Sequence, residues 1–446
     1  MRTAERTRSR RAGRNPVRSV ISGVRGDMAD PLFRNAYALV ANGAFTGLLG
    51  LAYWTLGALL YDHDPGLVGR NWAVIQAIMF LGGVTTLNFL LIRFLPQTAR
   101  AAGRLVLACY GLGASAAALL AVGFWLVVPS RAPVYGHLGT AGAGLWLVLL
   151  AVAWNLFNQQ EAVFTGLRRA TWVPVVNLAF GAAKMALLVV LAVTLHPDDG
   201  IVLSWFVPVL AALVPVNALI FGRLIPRHRA DNLGRGERPT RRDIVRYFGG
   251  GWLGGVFQYA AVSLVPVAVT AHLRDDAVNA YFQMAWALGM MLELLALTLS
   301  LSLTVEGAFD SSVLAAATRA ALRRTFALMT PTVALVVLLC PAALTLLGEG
   351  YAAEGAPLLR LLAVAILPKA LIEMHVGVLR VRSATGTIAL VQGVRFLAVL
   401  AAVPLVFDGT DLTAIGWVVL GVNTAVAAAI APSLRRACTA ARRGGA

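Results

Sequence analysis

Apolar segments long enough to cross a bilayer recur twelve times along this chain, with short polar intervals between them. An α-helix rises about 1.5 Å per residue and a bilayer core is about 30 Å thick, so roughly 20 apolar residues make one crossing. The pattern therefore predicts twelve transmembrane helices. They cover residues 35–60, 71–92, 105–128, 140–164, 172–195, 201–221, 248–271, 280–305, 325–347, 356–379, 387–407 and 412–430.

The charged residues of the intervals alternate in sign from one side of these helices to the other. One side, here called the arginine-rich side, holds 31 of the 38 basic residues and both termini. The opposite, acidic side has short intervals such as Asp198–Asp199 and Asp275–Asp276, and only three basic residues. Because Lys and Arg near short loops stay in the cytoplasm, both termini are predicted to be cytoplasmic. One helix more or fewer would destroy this alternation.

The longest polar interval, with eight Arg between residues 223 and 246, divides the helices into two sets of six. It predicts five units along the chain. These are a disordered basic cytoplasmic tail (1–34), a six-helix lobe (35–222), a basic cytoplasmic linker (223–247), a second six-helix lobe (248–431) and a basic cytoplasmic tail (432–446).

A repeated motif suggests that the two lobes are duplicates. The fourth predicted helix of each lobe ends in E-x5-L-R, at Glu161 to Arg168 and at Glu373 to Arg380. With six helices each, both lobes have the same orientation. The predicted fold is all-α, with two six-helix lobes related by a pseudo-two-fold axis along the membrane normal.

Composition supports a membrane protein and excludes several functions. The chain is 59% hydrophobic and 13% charged, with mean hydropathy +0.74. Its formal charge of +17 does not indicate a nucleic-acid partner, because the basic residues cluster at helix ends. The only lysines are Lys184 and Lys369, and neither follows the glycine-rich turn of an ATP-binding loop. The histidines and cysteines lack metal-ligand spacing, so we expect no metal and no cofactor.

Seven charged side chains fall inside predicted helices, where charge is costly and normally faces a polar interior. Arg360, near the outer end of its helix, is expected to extend to the membrane interface. The other cations are Lys184, Lys369 and Arg395, and the acids are Glu161, Glu293 and Glu373. Lys369 and Glu373 are four residues apart and share a helix face. Either they neutralise each other, or Lys369 joins the other two cations at a central cavity that meets an anion. Glu373, beside His375, is then the favoured carrier of a coupling proton.

Four segments are similar to known proteins. They are RNAYALVANGAFTGLLGLAYWTLGALLYDHDPGLVGRNWAVIQ (34–76), FTGLRRATWVPVVNLAFGAAKMALL (164–188), NAYFQMAWALGMMLELLALTLSLSLTVEGA (279–308) and LLGEGYAAEGAPLLRLLAVAILPKAL (346–371). They resemble helices and connections of the polysaccharide (O-antigen type) flippases, within the superfamily of multidrug, oligosaccharidyl-lipid and polysaccharide exporters. The peptidoglycan-precursor flippase of that superfamily usually has two more helices.

The resemblance implies a MATE-like fold, with two lobes around a cavity, in a bacterial cytoplasmic membrane. Such a protein moves a polyprenyl-pyrophosphate-linked oligosaccharide between leaflets by alternating access, for cell-surface polysaccharide synthesis. Its partners are the lipid-linked substrate, membrane lipids, and a polysaccharide polymerase or glycosyltransferases. Lys184, Lys369 and Arg395 are then the cavity cations that bind the diphosphate.

Three other functions are open on the sequence. A cation- or proton-coupled exporter of small amphipathic molecules on the same fold is favoured if acids outnumber cations in the cavity. A membrane enzyme would need a large external loop or paired carboxylates at a membrane face, and neither is present. A scaffold would give no reason for buried Lys and Arg.

Overall fold

The computed structural model describes residues 31–61, 64–98, 101–195, 197–231, 253–309, 314–381 and 384–439. Most of the predicted N-terminal tail, most of the linker 223–247 and the end of the C-terminal tail lie outside these residues. Twelve long helices are labelled α1 (Pro31–Leu60), α2 (Pro65–Val84), α3 (Ala102–Val127), α4 (Ala141–Gly166), α5 (Trp172–Thr194), α6 (Gly200–Leu219), α7 (Leu253–His272), α8 (Asp276–Phe309), α9 (Leu314–Thr345), α10 (Ala356–Val381), α11 (Thr385–Val406) and α12 (Thr413–Thr439).

Each of the twelve predicted segments coincides with one of these helices, within a few residues at most ends. Within the described residues, nine helical segments are long and apolar enough to cross a membrane. Their outward faces are apolar: Leu112, Leu119 and Leu126 of α3 follow one another at seven-residue spacing and are all more than 60% exposed. Such a face suits lipid rather than water. The chain is a multi-pass membrane protein.

The second predicted segment, 71–92, is the one that the structure divides. α2 ends at Val84, and a short helix, Asn88–Phe94, follows after a turn. The amide of Asn155 on α4 donates to the Gly82 carbonyl and to Thr85 Oγ1, both at 2.9 Å. Because these bonds satisfy polar groups released at the helix end, the break is tolerated at membrane depth.

Helix α2 joins the two halves of the described chain. It packs against α4 in the first half and against α7 and α8 in the second. Near the acidic side, the Asn279 amide donates to the Gly69 carbonyl at 2.7 Å. Deeper in the membrane, the Tyr259 hydroxyl donates to the Met79 carbonyl at 2.8 Å. The halves are thus in contact from the acidic side to well below the level of Gly69.

The contact at Gly69 requires a residue without a side chain. A Cβ atom there would lie 1.7 Å from the backbone oxygen of Asp276, the first residue of α8. Asn279 and Gly69 are 210 residues apart, so this contact joins distant parts of the chain.

Candidate functional site

Lys184, on α5, lies in a cage of aromatic rings. It is 4% exposed, and its Nζ atom is 3.5 Å from the centre of the Trp205 ring and 4.6 Å from that of Tyr53. Phe180, one turn earlier on α5, lies 5.2 Å away. The negative faces of such rings attract a cation, which lowers the cost of burying the ammonium group. No carboxylate of the described chain lies within ion-pair distance of Lys184.

The cage is held in place by its own contacts. The Tyr53 hydroxyl bonds to the Ile201 carbonyl at 2.8 Å and to Ser204 Oγ at 2.6 Å. Trp54 stacks on Trp72 with ring centres 3.6 Å apart, and these rings continue the cluster away from Lys184. Helices α1, α2, α5 and α6 therefore fix the position of one ammonium group.

A second polar group lies in the other half of the chain. Lys369 on α10 forms a salt bridge with Glu293 on α8. Glu373 accepts a hydrogen bond of 3.0 Å from the Gln392 amide on α11, and Arg395 donates from Nε to Gln392 Oε1 at 3.2 Å. Three helices thus contribute to one cluster that contains two cations, two acids and an amide.

This cluster borders a small cavity of about 20 Å³ beside Glu293, lined also by Trp286 and Asn423. A volume of this size holds about one water molecule.

Glu161 stands apart from both groups, near the arginine-rich end of α4. It accepts a hydrogen bond from the side-chain amide of Asn177 on α5. The structure therefore brings together four of the six predicted site residues: Lys369, Arg395, Glu293 and Glu373. The contacts of Lys184 and Glu161 lie in the first half, in two separate places.

One expectation needs correction. The four-residue spacing allowed a Lys369–Glu373 pair along α10, but Lys369 bridges to a different helix because Glu293 faces it across the α8–α10 contact. Trp54, Trp72 and Trp205 are buried packing residues, and Trp205 also covers the ammonium group of Lys184. Seven of the ten tryptophans precede residue 206. This excess in the first half is the sequence feature that could have indicated an aromatic cluster there.

Comparison with known proteins agrees with the architecture. No protein-family model and no curated protein matches this sequence. Among solved structures, the inward-facing conformation of a multidrug resistance MATE family transporter of the MOP superfamily matches with a TM-score of 0.63 at 14% identity. The match covers 90% of this chain and 96% of that transporter.

Two further solved structures give the same result. A MATE protein in complex with MaD3S matches with a TM-score of 0.59 at 15% identity, over 94% of this chain and 99% of that one. The outward-facing conformation of a multidrug resistance MATE family transporter matches with a TM-score of 0.53 at 14% identity, over 94% and 98%. This all-α membrane protein therefore has the fold of these solved MATE transporters, as the sequence predicted.

Proposed function

We propose that this protein is a flippase that moves a polyprenyl-pyrophosphate-linked oligosaccharide from the inner to the outer leaflet of a bacterial cytoplasmic membrane. One observation carries the proposal. Lys184 and Arg395 are set within membrane-spanning helices, and no described carboxylate lies within ion-pair distance of either. A charge at that depth needs a counter-charge or a polar cavity. A diphosphate supplies two or more negative charges.

The arrangement of the halves fits loading from the cytoplasm. The first lobe, 35–222, and the second, 248–431, meet along α2, α7 and α8 from the acidic side inward. With the arginine-rich side in the cytoplasm, these contacts close the external side. The higher TM-score against the inward-facing neighbour agrees with this orientation.

The salt bridge between Lys369 and Glu293 provides a means of coupling. A phosphate that binds Lys369 displaces the carboxylate of Glu293, which then lacks a counter-charge inside the membrane. The charged form of a carboxylate is costly at membrane depth without a counter-charge, which favours binding of a proton. Substrate binding would thereby be linked to protonation of Glu293, the role that the sequence had suggested for Glu373.

The alternative is a cation- or proton-coupled exporter of small amphipathic molecules. The wide aromatic cluster around Trp54 and Trp72 favours it, because such rings attract organic cations and apolar drugs. This alternative requires that acids, and not Lys184 and Arg395, contact the substrate.

Reconstitution distinguishes the two functions. Purified protein in liposomes is supplied, in separate arms, with a pyrophosphate-linked glycolipid and with a fluorescent organic cation. The proposal predicts translocation of the glycolipid, reported by an external glycan-cleaving enzyme, and no transport of the dye. Transport of the dye with no glycolipid movement would establish the exporter instead.

A further inference from the structure

A cavity of about 260 Å³ lies at the arginine-rich end of the first half, and neither Lys184, Lys369 nor Arg395 lines it. Arg168, Arg169 and Arg227 line it, together with His228 and Asp231. The first two arginines belong to the connection between α4 and α5, and the other residues belong to a short helix, Ile225–Asp231. Two segments more than fifty residues apart thus direct cationic side chains to one space.

The floor and the frame of this cavity are built from packed parts of the fold. Leu167 and Leu224 are buried and form its apolar floor. The His228 ring is hydrogen-bonded to the backbone at Leu95 and Thr98, which fixes the short helix against the turn after residue 94. The cavity is therefore a built feature at the junction of three segments.

The backbone at Arg168 gives a second, independent observation. Its φ angle is +58°, and among the described residues no other residue except glycine has a positive φ. Arg168 N–H bonds to the Thr165 carbonyl at 3.0 Å, and Arg169 N–H to the Phe164 carbonyl at 2.8 Å. This is the helix C-terminal motif in which glycine is strongly preferred, because a Cβ atom is strained there. Strain at this position points to a use for the arginine side chain.

The charge of the cavity is unbalanced. Three guanidinium groups and one carboxylate line it, and within the described residues none of the three arginines is within ion-pair distance of an acid. The guanidinium group is planar and binds phosphate oxygens through two parallel hydrogen bonds. The volume is at the small end for ligand sites and suits a compact anionic group.

We infer that this cavity binds the phosphate group of an anionic molecule at the arginine-rich face, at a site separate from Lys184 and from the Lys369–Glu293 cluster. The phosphate belongs either to a lipid headgroup or to a soluble phosphorylated molecule, and both share this chemistry. Binding would tie the α4–α5 connection to the helix Ile225–Asp231.

The test uses the full-length protein in phosphatidylcholine nanodiscs, in a Lys184→Gln/Arg395→Gln background that removes the proposed transport site. One arm titrates inorganic diphosphate by calorimetry. The other arm adds phosphatidic acid to the nanodisc and counts retained lipid by native mass spectrometry. Variants are Arg169→Gln/Arg227→Gln and Arg168→Gly. The control is Arg323→Gln/Arg324→Gln, which removes two exposed arginines of α9 outside the cavity.

We expect both cavity variants to weaken phosphate binding about tenfold or more, because each removes charge-assisted hydrogen bonds. Arg168→Gly should do so without lowering the thermal unfolding temperature, since glycine suits its backbone. If the cavity variants weaken diphosphate binding in the first arm, the ligand is a soluble phosphorylated molecule. If they reduce only the retention of phosphatidic acid in the second arm, the ligand is a lipid. Equal weakening by the α9 control, or binding that no cavity variant changes, would overturn the inference.

Discussion

Lys369 on α10 is bonded to Glu293 on α8, although Glu373 lies one turn away on its own helix. The salt bridge therefore connects α8 and α10, whereas a pair with Glu373 would only neutralise charges within α10. Glu373 is engaged instead by the amide of Gln392. A salt bridge between helices responds to any change in their separation, whereas a pair within one helix does not.

This pairing predicts unequal effects of two conservative substitutions on stability. Glu293→Gln leaves the Lys369 ammonium buried without its counter-charge, which costs about 3–5 kcal/mol of unfolding free energy. Glu373→Gln replaces one hydrogen-bond acceptor by another and should cost about 1 kcal/mol. Thermal unfolding in detergent measures both. Lys369→Gln added to Glu293→Gln should restore much of the loss, and equal losses for the two single variants would contradict the assignment.

The coupling mechanism predicts that substitutions of Glu293 and Glu373 also differ in their effect on the pH dependence of transport. Glu293→Gln should move glycolipid at a rate that no longer depends on an imposed pH difference, because its side chain cannot take up a proton. Glu373→Gln should keep the dependence of the parent protein. Translocation in proteoliposomes, with and without the pH difference, measures this. A loss of dependence in the Glu373 variant alone would transfer the role to Glu373.

Gly69 should control closure of the acidic side. Gly69→Ala places a methyl group where the Asp276 carbonyl now lies, so α2 and α8 must separate. Spin labels at Arg131→Cys and Arg274→Cys, one in each half, should then report a longer distance. Gly111→Ala is the matched control, because a Cβ atom there meets nothing within 4 Å. An unchanged distance in the Gly69 variant would show that this contact does not hold the halves together.

The same contact should depend on pH through Asp276. Burial raises the pKa of this carboxyl above its ordinary value of 3.8, and Asp275 and Asp64 raise it further, although Arg70 opposes them. The protonated acid thus fits the closed contact better than the carboxylate. Closure weakens as the pH rises through the pKa of Asp276 and strengthens as the pH falls below it. Asp276→Asn should remove this dependence from the spin-label distance, and persistence of the dependence would assign it elsewhere.

The sequence was sufficient for the helices because membrane crossing imposes a length and an apolar composition on each segment. It was also sufficient to pick out the buried charges, since charge at that depth is rare. It was insufficient for their partners. Glu293 is 76 residues from Lys369, and only the packing of α8 on α10 selects it over the nearer Glu373. The break after Val84 likewise depends on Asn155, a side chain of another helix.

The aromatic cage shows the same limit. Tyr53, Phe180 and Trp205 lie on three helices, and each is an ordinary apolar residue in its own segment. Only their convergence on Lys184 gives them a role. Residue type and depth indicate where a charge is buried, but tertiary packing decides what surrounds it.

The central claim is that Lys184 and Arg395, which lie within membrane-spanning helices without carboxylate partners among the described residues, bind a pyrophosphate. One measurement tests this claim most directly. Translocation of the pyrophosphate-linked glycolipid is compared for the parent protein, Lys184→Gln, Arg395→Gln and the control Arg360→Gln. Arg360 is exposed, and its Nε donates to the Val337 carbonyl at 3.1 Å. Lys184→Gln and Arg395→Gln should each slow translocation about tenfold or more, since a charge-assisted hydrogen bond to phosphate contributes roughly 1.5–3 kcal/mol. The control should keep the parent rate. Translocation at the parent rate in both the Lys184 and the Arg395 variant would contradict the account.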